Sequence, residues 1–147
     1  MSAIIDALIN QRIDEERKLN KLYENQTTIS ITMVKIEEVQ AEALRIKNNF
    51  TSGVEREIDT EWKAHKKQTF INDNYSNSVL EFEKYIRGIN DTYAFLEAEK
   101  QRIATEIGNT INNINSINGR ISAQQAAEAE EARLAAYYAS LNNKRGK

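Results

Sequence analysis

Proline and cysteine are absent from this chain of 147 residues, and glycine occurs only five times. A chain of average usage would carry roughly seven prolines, and proline is excluded from helix interiors because it lacks an N–H and clashes with the preceding turn. Nothing has been placed to stop a helix, so the chain can be helical almost throughout. Without cysteine there are no disulfides, no thiolate nucleophile and no cysteine-based zinc site, and the single histidine, His65, cannot form a histidine pair on a metal. Twenty Lys and Arg against 22 Asp and Glu leave a net charge of −2, which argues against a footprint built on phosphate neutralisation. The local cluster of Lys63, His65, Lys66 and Lys67 is then either a phosphate contact or a solvated helix face. Long apolar runs are missing as well. The longest uncharged stretch, residues 107–119, is studded with asparagine and falls short of the roughly 18 apolar residues a membrane span needs, so no span is expected. Ile4, Ile5, Leu8 and Ile9 are interrupted by Asp6 and lack a basic leader, so a secretory signal peptide is not expected either.

What is present is heptad periodicity. Alternating steps of three and four connect Val79, Phe82, Ile86, Ile89, Tyr93, Leu96, Lys100, Ile103, Ile107, Thr110, Ile114, Ile117 and Ile121; all but Lys100 and Thr110 are apolar. At the 40% hydrophobic content of the chain only about five would be. This predicts a long helix over 79–122, with Ser78 and Glu81 as a capping box. A looser stripe runs through Ile5, Leu8, Arg12, Glu15, Leu19, Leu22, Gln26, Ile29, Met33, Ile36, Gln40, Ala43, Lys47 and Phe50, predicting an amphipathic helix over 3–50, irregular around the β-branched residues between Thr27 and Thr32. The turn-rich Asn48, Asn49, Thr51, Ser52 and Gly53 predict a break, after which Ser52 and Glu55 restart a short helix over 53–71 carrying Val54, Ile58 and Trp62 on one face. Ile71, Asn72, Asp73, Asn74, Tyr75, Ser76 and Asn77 read as the reversal.

The expected fold is therefore all-α: an elongated antiparallel helical hairpin or coiled coil over 1–122, with a short Trp-bearing helix near the turn. A segment rich in alanine and glutamate, 123–147, extends it as a helix that frays toward a basic end. The five asparagines Asn109, Asn112, Asn113, Asn115 and Asn118 predict a locally weak seam. Apolar residues left outside the stripes, including Leu80, Tyr85, Phe95 and Ile111, suggest that partner helices complete the bundle. Candidate packing or partner-binding residues are Trp62, Phe70, Ile86, Tyr93, Ile103, Ile107, Ile114, Tyr137 and Tyr138. No glycine-rich phosphate loop and no nucleophile–base set is legible, so no catalytic, cofactor or metal site is expected, and His65 reads as a packing residue before a ligand.

The long first helix, the central Trp62-Lys63-Ala64 with Phe70 downstream, and the long heptad helix resemble the small WXG-type helical-hairpin proteins of Gram-positive type VII secretion. More narrowly, they resemble the accessory proteins encoded with LXG-domain toxins. The sequence departs from the W-x-G turn, with Ala64 in the glycine position and Gly53 upstream. The resemblance implies a non-enzymatic targeting or chaperone-like partner that packs on the helical N-terminal region of an LXG toxin, together with a second small WXG-like protein. It implies a cytoplasmic location, with or without co-secretion. It also implies a Y-x-x-x-D/E export signal on a C-terminal helix. Tyr93 and Glu97 match its letters inside the heptad stripe, and Tyr138 is followed by Asn142 where the acid would stand, so a partner would supply the signal. A different class of protein carries the same stripes: a self-assembling structural coiled coil, such as a phage or cytoskeletal spacer.

Overall fold

A computed structural model describes residues 2–61 and 74–145. It is an all-α helical hairpin made of two long helices packed against each other, α1 (Ala3–Glu61) and α2 (Ser76–Arg145). Both stripes face inward as the heptads require. All fourteen stripe positions of α1 and all thirteen of α2 are buried or half-buried, and on α2 the half-buried series continues through Gln124 to Glu128.

The expected break near residue 50 is absent, because α1 runs unbroken through residues 48–53. Gly53 keeps a negative φ, and the Thr51 hydroxyl donates to the Asn48 carbonyl at 3.0 Å, so the hydroxyl is used inside the helix rather than to cap a new one. Packing on either side outweighs turn propensity: Lys47 Nζ lies 3.5 Å from Glu83, and the Phe50 ring sits 5.5 Å from that of Phe82. Thr32 makes the same backward bond to the Thr28 carbonyl at 2.8 Å, and the β-branched stretch around it stays helical. A second boundary also moves. A π turn at Asn74 and Tyr75 leads directly into α2 at Ser76, so Ser78 lies inside the helix and Glu81 pairs with Lys84 at 3.4 Å rather than closing a capping box. The segment 123–145 is continuous with α2. Trp62, His65, Phe70 and the basic cluster around His65 lie outside the described residues, as does the side chain of Ile58.

The chain divides into two compact units, Met1–Asn25 with Ile103–Lys147, and Gln26–Arg102. In the first, Leu8 packs with Ile117 and Ile121 and is flanked by Ile9, and Ile5, Leu22, Ile103, Ile107 and Thr110 are also buried. Only 1% of Thr110 is exposed, and its hydroxyl is satisfied by donating to the Glu106 carbonyl at 2.8 Å. In the second, the buried apolar side chains among the described residues are Met33 and Ala43. There an aromatic cluster joins the helices, with Phe50 stacked at 6.0 Å on Tyr75 and tilted at 46° against Phe82.

Candidate partner-binding faces

Within each unit, four of the five polar interruptions of the α1 stripe, Arg12, Glu15, Gln40 and Lys47, meet polar groups on α2. In the first, Arg12 Nη1 donates to Asn118 Oδ1 at 3.0 Å, and Asn113 Nδ2 reaches Glu15 Oε2 at a long 3.5 Å. Arg12 Nε is buried and lies 3.7 Å from Glu16, so the guanidinium is held by charge there and by a hydrogen bond at its tip. In the second, Tyr93 donates to Glu37 Oε1 at 2.8 Å, Gln40 Nε2 to Asn90 Oδ1 at 2.7 Å, and Lys47 pairs with Glu83. Three residues forward on α1, from Glu37 to Gln40, answer three residues back on α2, from Tyr93 to Asn90. These pairs fix an antiparallel register, because a slip would leave polar groups facing an apolar seam. The charge of Glu37, through the hydrogen bond first of all, pushes the Tyr93 hydroxyl above its ordinary pKa. Burial followed by the charge of Glu55 does the same to Tyr75, which donates to Glu55 Oε1 at 3.3 Å. Arg45, Arg102 and Arg133 hold Glu42, Glu99 and Glu130, each three residues earlier, below the usual carboxylate range. These pairs are solvated helix-face chemistry.

The candidate residues separate into three groups. Ile103 and Ile107 are buried in the first unit's seam and Ile114 is half-buried there, while Ile86 and Tyr93 are half-buried in the second unit's seam. These five pack the hairpin. Tyr137 and Tyr138 are exposed, with ring centroids 5.7 Å apart in an edge-to-face arrangement. Trp62 and Phe70 fall outside the described residues. Tyr93, the tyrosine of the Y-x-x-x-E match, stands in the seam with its hydroxyl engaged by Glu37.

The surface available to a partner lies elsewhere on α2. Tyr85, Gly88, Thr92 and Phe95 share one face, at i, i+3, i+7 and i+10. Tyr85 is 61% and Phe95 67% exposed, and the position a Cβ would take at Gly88 has nothing within 4 Å. Two exposed aromatic rings therefore share a helix face with Gly88, which leaves the surface bare beside Tyr85, and with Thr92, whose hydroxyl donates back to the Gly88 carbonyl at 2.9 Å. Ile31 and Val34, both about half exposed, form an apolar pair three residues apart on α1 of the same unit. The leftover apolar residues on α2 were legible as off-stripe letters; Ile31 and Val34 were hidden in the β-branched stretch, whose signal pointed to irregular backbone instead.

Among the described residues no three His, Cys, Asp or Glu side chains converge as metal ligands, and no helix is long and apolar enough to cross a membrane. A shallow pocket between Asn77, Ser78, Glu81, Phe82 and Tyr85 presents one carboxylate and two rings, without a nucleophile–base pair. No protein-family model matches the chain, and comparisons with curated proteins and with solved structures return no match. What the arrangement offers chemically is apolar helix surface for another helix.

Proposed function

We propose that this chain is a non-enzymatic helical partner, a targeting factor or chaperone-like subunit that binds the helical N-terminal region of an LXG-type toxin for type VII secretion. The observation that carries the reading is the exposed Tyr85–Phe95 face around Gly88 in a hairpin whose own seam is already filled. Exposed aromatics on one helix face are the kind of residue that anchors helix-in-groove recognition, and area buried there contributes roughly 25 cal/mol per Å² before association costs are subtracted. A second small WXG-like protein would occupy the remaining apolar surface at Ile31 and Val34.

Co-expression with an LXG N-terminal region encoded beside the gene, with and without the neighbouring small helical protein, tests the reading by size exclusion. Co-elution is expected. Tyr85→Ala together with Phe95→Ala should weaken the complex by about 2 kcal/mol or more and leave the free hairpin's melting within about 0.5 kcal/mol of wild type, as surface truncations do. A chain that ignores both partners at high concentration rejects the proposal.

A further inference from the structure

The end of α2 is self-complementary. Leu134-Ala135-Ala136-Tyr137 is followed by Tyr138-Ala139-Ser140-Leu141, which is nearly the same four letters in reverse. Outside this core, Glu130 and Glu131 stand on the N-terminal side, and Lys144 and Arg145 stand at matching distances on the C-terminal side. The segment is one uninterrupted helix, and every residue from 129 to 140 is exposed. Leu134, Tyr137, Tyr138 and Leu141 fall at i, i+3, i+4 and i+7, so they form a single apolar face, in contrast to the charged turn before it. Tyr137 and Tyr138 are 55% and 59% exposed and touch each other edge to face, with no ring from α1 against them.

We propose that this face pairs with the same face of a second copy, in an antiparallel helix pair whose two-fold axis passes between Tyr137 and Tyr138. In that arrangement Leu134 meets the second copy's Leu141, Tyr137 meets its Tyr138, Glu131 meets its Lys144 and Glu130 meets its Arg145, each contact occurring twice. An isologous interface requires this kind of self-complementarity: one patch that satisfies itself after a two-fold rotation. A parallel pair would instead set Glu130 and Glu131 against the same residues of the other chain, and Lys144 and Arg145 likewise, so charge selects the antiparallel form. Ala135, Ala136, Ala139 and Ser140 fall on the opposite side of the helix, so the contact is made by the leucines and tyrosines, with the charged residues at its two ends. Glu130 is held by Arg133 at 2.7 Å within its own helix, but both side chains are more than half exposed, so the carboxylate can accept a second cation. The 16 helical residues from Glu130 to Arg145 make only about 24 Å of helix, with four large apolar side chains per copy on the paired face, so the dimer is reversible and concentration-dependent. The pairing does not rest on the partner role proposed above and uses none of its residues.

Sedimentation equilibrium of the full chain from about 1 μM to about 1 mM should show a monomer–dimer equilibrium, weakened by salt. Reversing one end, with Glu130→Lys and Glu131→Lys, or the other, with Lys144→Glu and Arg145→Glu, should weaken self-association about tenfold or more. An equimolar mixture of the two variants should dimerise like wild type, because each then presents opposite charges to the other. Tyr138→Glu should abolish the dimer without changing helical circular dichroism, since the residue is exposed in the monomer. A wild-type chain that stays monomeric throughout overturns the proposal, as does a dimer indifferent to charge reversal or a mixture that fails to restore pairing.

Discussion

The two compact units solve the same packing problem with different side chains. In the first, Ile5, Leu8 and Leu22 on α1 and Ile103, Ile107, Ile117 and Ile121 on α2 are all buried. Aliphatic residues of similar size line that seam, and Leu8 packs directly with Ile117 and Ile121. In the second, the seam carries Gln40, Ala43 and Lys47 on α1 against Ile86, Ile89 and Tyr93 on α2, and among its described residues only Met33 and Ala43 are buried. The same unit leaves Ile31, Val34, Leu80, Tyr85 and Phe95 about half exposed or more. Among the described residues the first unit buries more aliphatic side chains, while both units leave apolar side chains exposed, Ile4, Tyr137 and Tyr138 in the first and Ile31, Val34, Leu80, Tyr85 and Phe95 in the second.

Charge placed in the better-packed seam should give the largest effect. Ile107→Asp with Ile114→Asp sets unpaired carboxylates in the apolar contact of the first unit and should cost several kcal/mol, with loss of helical circular dichroism or a large drop in melting temperature. The same introduction of charge at Phe95, 67% exposed, should leave melting almost unchanged. Equal losses from the two would mean that the division between units is wrong. A finer comparison uses truncation. Ile103→Ala removes a side chain only 3% exposed and should cost about 2–5 kcal/mol, whereas Ile86→Ala, half-buried in the second unit, should cost less than half as much in denaturant melts.

The heptad letters alone located both helices and the inward face of each, because burial follows a period of 3.5 residues whatever the loops do. Turn chemistry misled at residues 48–53: asparagine, threonine, serine and glycine favour chain reversal only where nothing holds the flanking turns, and here Lys47 and Phe50 are tied to Glu83 and Phe82. The asparagines among the isoleucines likewise read as weakness in isolation. Asn113 and Asn118 instead serve Glu15 and Arg12, partners about a hundred residues away that no local pattern could pair. Of the candidate site, the off-stripe Tyr85 and Phe95 were legible as letters, but their exposure of 61% and 67% was not, since it depends on how α1 packs against α2.

The smallest expected effect tests the register in the polar seam of the second unit. Tyr93 donates to Glu37, and that carboxylate raises the pKa of the hydroxyl above its usual value near 10. A folded-state pKa above the unfolded one means that the protonated tyrosine favours the folded chain. Its contribution is fully present below the unfolded value and is lost as pH rises through the folded one. Wild-type melting should therefore fall more steeply than that of Tyr93→Phe, which has no proton to lose, in the alkaline interval that begins near the ordinary tyrosine pKa of about 10. Glu37→Gln should flatten the wild-type curve in the same interval, because it removes the charge while keeping an acceptor for the hydroxyl. Parallel curves for all three proteins would show that Tyr93 and Glu37 do not meet across the hairpin, and would move the register of the second unit away from the one that Gln40 and Asn90 share with them.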